Sequence, residues 1–158
     1  MSTPYSAVFN IFLSQIQDYD FLEQCIDVTE RDMNSYLWRA LAGCQNMVLN
    51  VTGFDLQLRD DTQQEFEEDL PDEVINLLVT GMENFWISAK AQNTENMRNA
   101  MGTRDFSFFA PQNLLYRLRE VRNDIEDRWI RERNSFAQRF SDISGLVDER
   151  VRHQKNGF

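Results

Sequence analysis

Apolar residues along this chain recur mostly at helical spacing. Val8, Ile11, Phe12 and Ile16 predict a short amphipathic helix ending near Asp18. Thr3 and Pro4 read as its N-cap and first-turn proline. Thr29 is a good N-cap for a second helix, with Asp32 placed for a near capping box. Met33, Tyr36, Leu37, Ala40, Leu41, Cys44 and Met47 or Val48 form its stripe, and Gly53 ends the pattern. From Leu56 to Leu58 apolar and polar residues alternate instead, which predicts a short extended segment inside an acidic connection. Pro71 sits where the next helix starts, with Asp72 and Glu73 in its first turn. Val74, Leu77, Leu78, Met82, Phe85 and Trp86 carry that helix to about residue 91. It is the most hydrophobic one, which places it centrally, and Gly81 offers a close approach to a neighbour.

Beyond it, Thr94, Met97 and Met101 suggest a short helix stopped by Gly102. Residues 103–110 then read as a loop carrying Phe106, Phe108 and Phe109. Pro111 opens the longest helix, whose stripe is Leu114, Leu118, Val121, Ile125, Trp129, Phe136 and Phe140. At its predicted length of about 45 Å it exceeds the roughly 30–40 Å of a compact domain of this size, so one end is expected to project or to pack on another chain. The expected architecture is all-α: a small bundle of four to five helices with a long C-terminal helix and an extended acidic connection. One domain spans 1–140, followed by a C-terminal tail at 141–158, where the periodicity is lost.

Charge adds a second layer. The 158 residues carry a formal net charge of −10, which argues against a protein that holds nucleic acid by neutralising phosphates. The charge is uneven. Up to Thr103 there are 17 acidic and 5 basic residues, a net of −12; from Arg104 onward there are 9 acidic and 11 basic, a net of +2. The basic end could meet the acidic part of a neighbouring copy through forked Arg contacts, or could form i, i+4 pairs along its own helix, such as Asp124–Arg128. The N-terminus lacks the basic region of a signal peptide, and no window approaches the ~20 apolar residues of a membrane span. A cytoplasmic location, or a particle assembled in a cytoplasm, is therefore expected. Cys25 and Cys44 read as buried or idle thiols, with a disulfide as the alternative.

Catalytic chemistry is sparse. The only imidazole, His153, lies near the C-terminus, and neither cysteine has a histidine nearby. No nucleophile elbow, Gly-rich phosphate loop or H-E-x-x-H run occurs. The acids between Asp55 and Glu73 could gather a divalent cation, and with it a metal-dependent hydrolysis, but they lack the D-x-D-x-D-G spacing of a calcium loop. No enzyme, metal or cofactor is expected.

The segment Asp105–Glu120, DFSFFAPQNLLYRLRE, resembles part of the head–tail connector (adaptor or neck) proteins of long-tailed bacteriophages. The residues that carry the resemblance are Asp105-Phe106, Phe109, Pro111, Asn113-Leu114-Leu115 and Arg119-Glu120. The acidic segment ending in Phe66 and Leu70 is similar too, as is the helix with Glu73, Leu77, Met82 and Trp86. So is the opening with Tyr5, Phe9, Phe12, Asp18, Tyr19 and Leu22. Together these span most of residues 5–140; the Arg-rich, aromatic stretch 128–140 and the tail depart from the family pattern. The resemblance implies a structural virion protein in the neck, assembled in the host cytoplasm. It would form a twelvefold ring below the portal protein, extend the DNA channel without sequence-specific binding, and dock the next neck or tail-terminator protein. Asp105, Phe106, Phe109, Pro111 and Leu114 are then the expected subunit interface, and Arg150, Arg152 and Lys155 the portal or neighbour-ring contact. The alternative is a small helical regulator that binds one protein partner.

Overall fold

The computed structural model describes residues 1–17, 28–109 and 113–155, with side chains placed outside 102–109 and 140–155. Four helices are present among the described residues: α1 (Tyr5–Gln17), α2 (Glu30–Thr52), α3 (Asp72–Phe109) and α4 (Leu114–Lys155). The protein is an all-α bundle. Two-residue strands β1 (Thr3–Pro4), β2 (Arg59–Asp60) and β3 (Glu65–Phe66) form a small antiparallel sheet in the order β1-β3-β2.

The central place of α3 follows from its sequence. From Val74 to Ile87 almost every position is buried, because the other three helices surround it. α1 lays Phe12 edge-on against Trp86 (6.5 Å). α2 presents Leu37, Ala40, Leu41, Cys44 and Val48, the stripe expected from its spacing. Its start is a full capping box between Thr29 and Asp32, and its end is Gly53 at φ 79°, a left-handed conformation that glycine adopts without a Cβ penalty. α4 adds Leu118, Ile125, Trp129 and Phe136.

Two glycines set the closest approach. A Cβ on Gly81 of α3 would lie 2.8 Å from the Ala40 Cβ and 3.0 Å from the Trp129 Nε1. A Cβ on Gly43 of α2 would lie 2.8 Å from the Trp129 Cη2. Ordinary carbon contacts are about 3.5–4.0 Å, so the Trp129 indole fills a slot that exists only because both positions are glycine. Phe85 closes the slot with its ring T-shaped to the indole at 5.4 Å, and the Arg133 guanidinium stacks over the indole at 4.7 Å.

Several expectations are corrected. Thr3 and Pro4 form a strand rather than a cap: the buried Thr3 hydroxyl donates to the Glu68 carbonyl (3.0 Å) and accepts from the Leu70 N–H (2.8 Å). Ile11 lies at the solvent edge of α1, where Tyr5 and Phe9 are buried instead. Core packing is the default expected of the three tryptophans, yet Trp38 is 36 % exposed on α2, under the Arg59 guanidinium. Gly102 does not stop a helix. α3 runs unbroken to Phe109, since one interior glycine costs only about 1 kcal/mol. At its other end, α4 continues past the expected limit near Phe140 to Lys155.

Candidate functional site

Asp105, Phe106 and Phe109 lie in the last two turns of α3 rather than in a loop. Their side chains, and Pro111, are outside the described residues. α4 begins at Leu114, after Asn113 takes up a left-handed φ of 72° that asparagine tolerates. Leu114 is half-buried and packs against the core. Arg150, Arg152 and Lys155 belong to the final turns of α4, with side chains outside the described residues. Leu114 and the set Arg150, Arg152 and Lys155 therefore sit at opposite ends of one helix of 42 residues, about 63 Å long, while Asp105, Phe106 and Phe109 end α3.

The bundle covers only the middle of the α3–α4 pair. Three ion pairs mark their antiparallel register. Arg119 Nη2 donates to Glu95 Oε1 (2.6 Å), Arg128 Nη2 to Glu83 Oε2, and Arg139 Nη1 to Glu73 Oε2 (2.5 Å). Glu73 is the second residue of α3, so the register leaves residues 140–155 of α4 with no α3 residue opposite, an overhang of about 24 Å. At the other end, residues 92–100 of α3 are exposed or half-buried, in contrast to the enclosed stretch 74–87. Both extremities reach beyond the four-helix body. Phe140, Ile143, Val147 and Val151 step by three and four along the overhang, a periodicity the tail reading missed.

These pairs also change the meaning of the charge asymmetry. Arg119, Arg128 and Arg139 meet acids of α3 in their own chain, and the partner of Arg128 is Glu83 rather than Asp124. The mirrored spacing of glutamates on α3 (73, 83, 95) and arginines on α4 (139, 128, 119) is the sequence signal of this hairpin. Glu83 is almost fully buried, and its Oε1 and the Arg128 Nε have no hydrogen-bond partner. Burial raises the Glu83 pKa, and Arg128 only partly opposes this.

The acidic connection is a structural hairpin. Asp55 Oδ1 accepts from the Gln57 N–H, Asp60 Oδ1 from those of Thr62 and Gln63, and Glu68 Oε2 from that of Asp55. Asp61 Oδ1 accepts from the Tyr5 hydroxyl (2.7 Å) and from Arg59. Burial and this carboxylate push the Tyr5 pKa well up. Asp55, Asp60, Asp61 and Glu68 are thus engaged in the turns and cross-links of this hairpin. Among the described residues no three His, Cys, Asp or Glu side chains converge to hold a metal ion. Cys44 is buried and free, its Sγ donating to the Ala40 carbonyl, and burial pushes its pKa up to about 12. Cys25 lies outside the described residues. No helix among the described residues is long and apolar enough to cross a membrane.

Comparison with known proteins finds no matching family model and no similar curated protein or solved structure.

Proposed function

We propose that this chain is a structural, non-catalytic virion protein, a head–tail adaptor whose copies assemble as a ring beneath the portal and dock the next neck or tail protein. The observation that carries this reading is the pair of helices that outrun the bundle at both ends. A monomer gains nothing from an apolar stripe extended past its own body, whereas an assembly supplies neighbours to cover it. The segment that resembles neck proteins lies at one extremity, spanning the end of α3 and the start of α4. The basic residues Arg150, Arg152 and Lys155 lie at the other. One end would contact the neighbouring subunit and the other the portal or the next ring, and the acidic body would repel DNA passing through the channel.

The test is antibody-gold labelling of phage particles from the source, viewed by negative stain. Label confined to the head–tail junction supports the adaptor. Intact particles without label at the neck, and without this chain on a denaturing blot, overturn it in favour of a small helical regulator.

A further inference from the structure

α2 carries a second stripe beside the one it buries. Arg31, Ser35, Trp38, Ala42, Gln45 and Leu49 step alternately by four and three. The buried stripe, Leu37, Ala40, Leu41, Cys44 and Val48, lies on another side of the helix. Gln45 is half-buried and the other five are exposed, with Trp38 at 36 % and Leu49 at 42 %. A mean step of about 3.5 residues is the spacing of a seam between two paired helices. The bundle sets no helix on this one.

Charge divides the same face. Arg31 stands at its first end, Arg39 flanks it, and Arg59 reaches over from β2 to lie 4.6 Å from the Trp38 ring. Arg31 and Arg39 form no ion pair with a described residue. At the other end, the last turn of α2 holds no basic residue. Asp55 and Glu68 lie just past Gly53, tied together by the Asp55 N–H, which donates to Glu68 Oε2 (2.8 Å). Neither carboxylate pairs with a described base. The stripe is therefore basic where it begins and acidic where it ends, about 27 Å further along the helix.

We propose that this face is a two-fold contact, in which α2 of one copy packs antiparallel on α2 of a second copy of this chain. Trp38 of each copy lies against Leu49 of the other, and the smaller Ala42 and Gln45 meet near the axis, where they let the helices approach. Both signs of charge on one patch make it self-complementary, as an isologous contact requires. The orientation follows from the charges. A parallel pair would set Arg31 against Arg31 and Trp38 against Trp38. The antiparallel pair carries each Arg31 to the other copy's Asp55 and Glu68, and to the negative end of a helix dipole that has no cation of its own. Trp38 and Arg31 are side chains of the kind that anchor interfaces. The face lies on the body, apart from both extremities assigned to the ring, so the contact describes the free chain and does not depend on the adaptor reading.

Sedimentation velocity on the full chain over a wide concentration range tests it, together with disulfide trapping. Wild type is expected to reach a dimer through this face. Each substitution is felt twice across a two-fold axis, so Trp38→Ala, Leu49→Ala and Arg31→Glu should each weaken the dimer by about tenfold or more. Circular dichroism checks that each variant is folded; one that is not is replaced by Trp38→Gln, Leu49→Gln or Arg31→Gln and judged alike. For trapping, Ser35→Cys and Thr52→Cys are made separately in a Cys25→Ser background. The antiparallel register sets residue 35 of one copy opposite residue 52 of the other, so a mixture of the two variants should cross-link on oxidation and neither alone should. A wild type that stays monomeric at every concentration, association undiminished in the Trp38 and Leu49 variants, or cross-linking of Ser35→Cys with itself overturns the contact. Neck labelling speaks to the adaptor alone: its absence would remove that reading and leave the dimer to be judged by sedimentation.

Discussion

Replacing Gly43 by alanine isolates the packing that joins three helices. In a helix interior, Gly→Ala gains about 1 kcal/mol of propensity. At Gly43 the new Cβ would lie 2.8 Å from the Trp129 Cη2 and 3.0 Å from its Cζ2. The indole cannot step aside: Gly81 and Ala40 stand on one side, Phe85 is set edge-on, and Arg133 stacks above. Overpacking of this kind costs about 1–3 kcal/mol, so the net effect in wild type runs from near zero to a loss of about 2 kcal/mol. Trp129→Phe removes both contacting carbons. In that background Gly43→Ala should show its propensity gain alone and stabilise by about 1 kcal/mol. The double-mutant cycle should therefore return a coupling of about 1–3 kcal/mol between residues on α2 and α4. Urea unfolding followed by circular dichroism reads it as a change in midpoint at constant m. Gly43→Ala that stabilises equally in both backgrounds would refute the slot.

Other outcomes follow from single groups. Burial holds the folded-state pKa of Glu83 above its ordinary 4.5, so its contribution to stability is present at low pH and lost as pH rises through the folded pKa. Measured by urea midpoint, Glu83→Gln should gain on wild type progressively above pH 4.5, while Arg128, 42 % exposed, turns to water. Thr3→Val strands the Leu70 N–H and the Glu68 carbonyl and should cost about 1–3 kcal/mol in the same assay. Thr29→Ala removes the α2 cap and should cost about 1 kcal/mol. In a Cys25→Ser variant, the buried Cys44 thiol, with its pKa pushed up to about 12, should react with Ellman's reagent only once urea unfolds the chain; rapid reaction of the native protein would contradict its burial.

Periodicity was most informative where a helix has one buried face. The stripes of α2 and α4 up to Phe136 are those the spacing predicts. It was least informative where one side chain had two structural uses. Thr3 before Pro4 has the chemistry of a cap, but its hydroxyl serves a strand pairing more than sixty residues away. Trp38 follows Leu37 of the α2 stripe and has the bulk of a core residue, yet it lies at the surface, where Arg59 covers it from a hairpin whose position no local rule fixes. The candidate contact residues were legible only as a motif: Phe106 and Phe109 gave no sign that α3 would run through them, because interior Gly102 carries a tolerable cost.

By itself, the sequence determined an acidic all-α chain, the caps of α2, the central α3 and the near approach at Gly81. These depend on spacing and local backbone preference, which a linear chain states directly. The tertiary structure alone decided which charges face one another. An arginine on α4 can pair with its own helix, with α3 or with another copy, and all three are consistent with composition. The antiparallel packing of α3 on α4 brings Glu73, Glu83 and Glu95 to Arg139, Arg128 and Arg119. Coulomb attraction acts over a few ångströms, so the pairing is chosen by the fold that sets those distances.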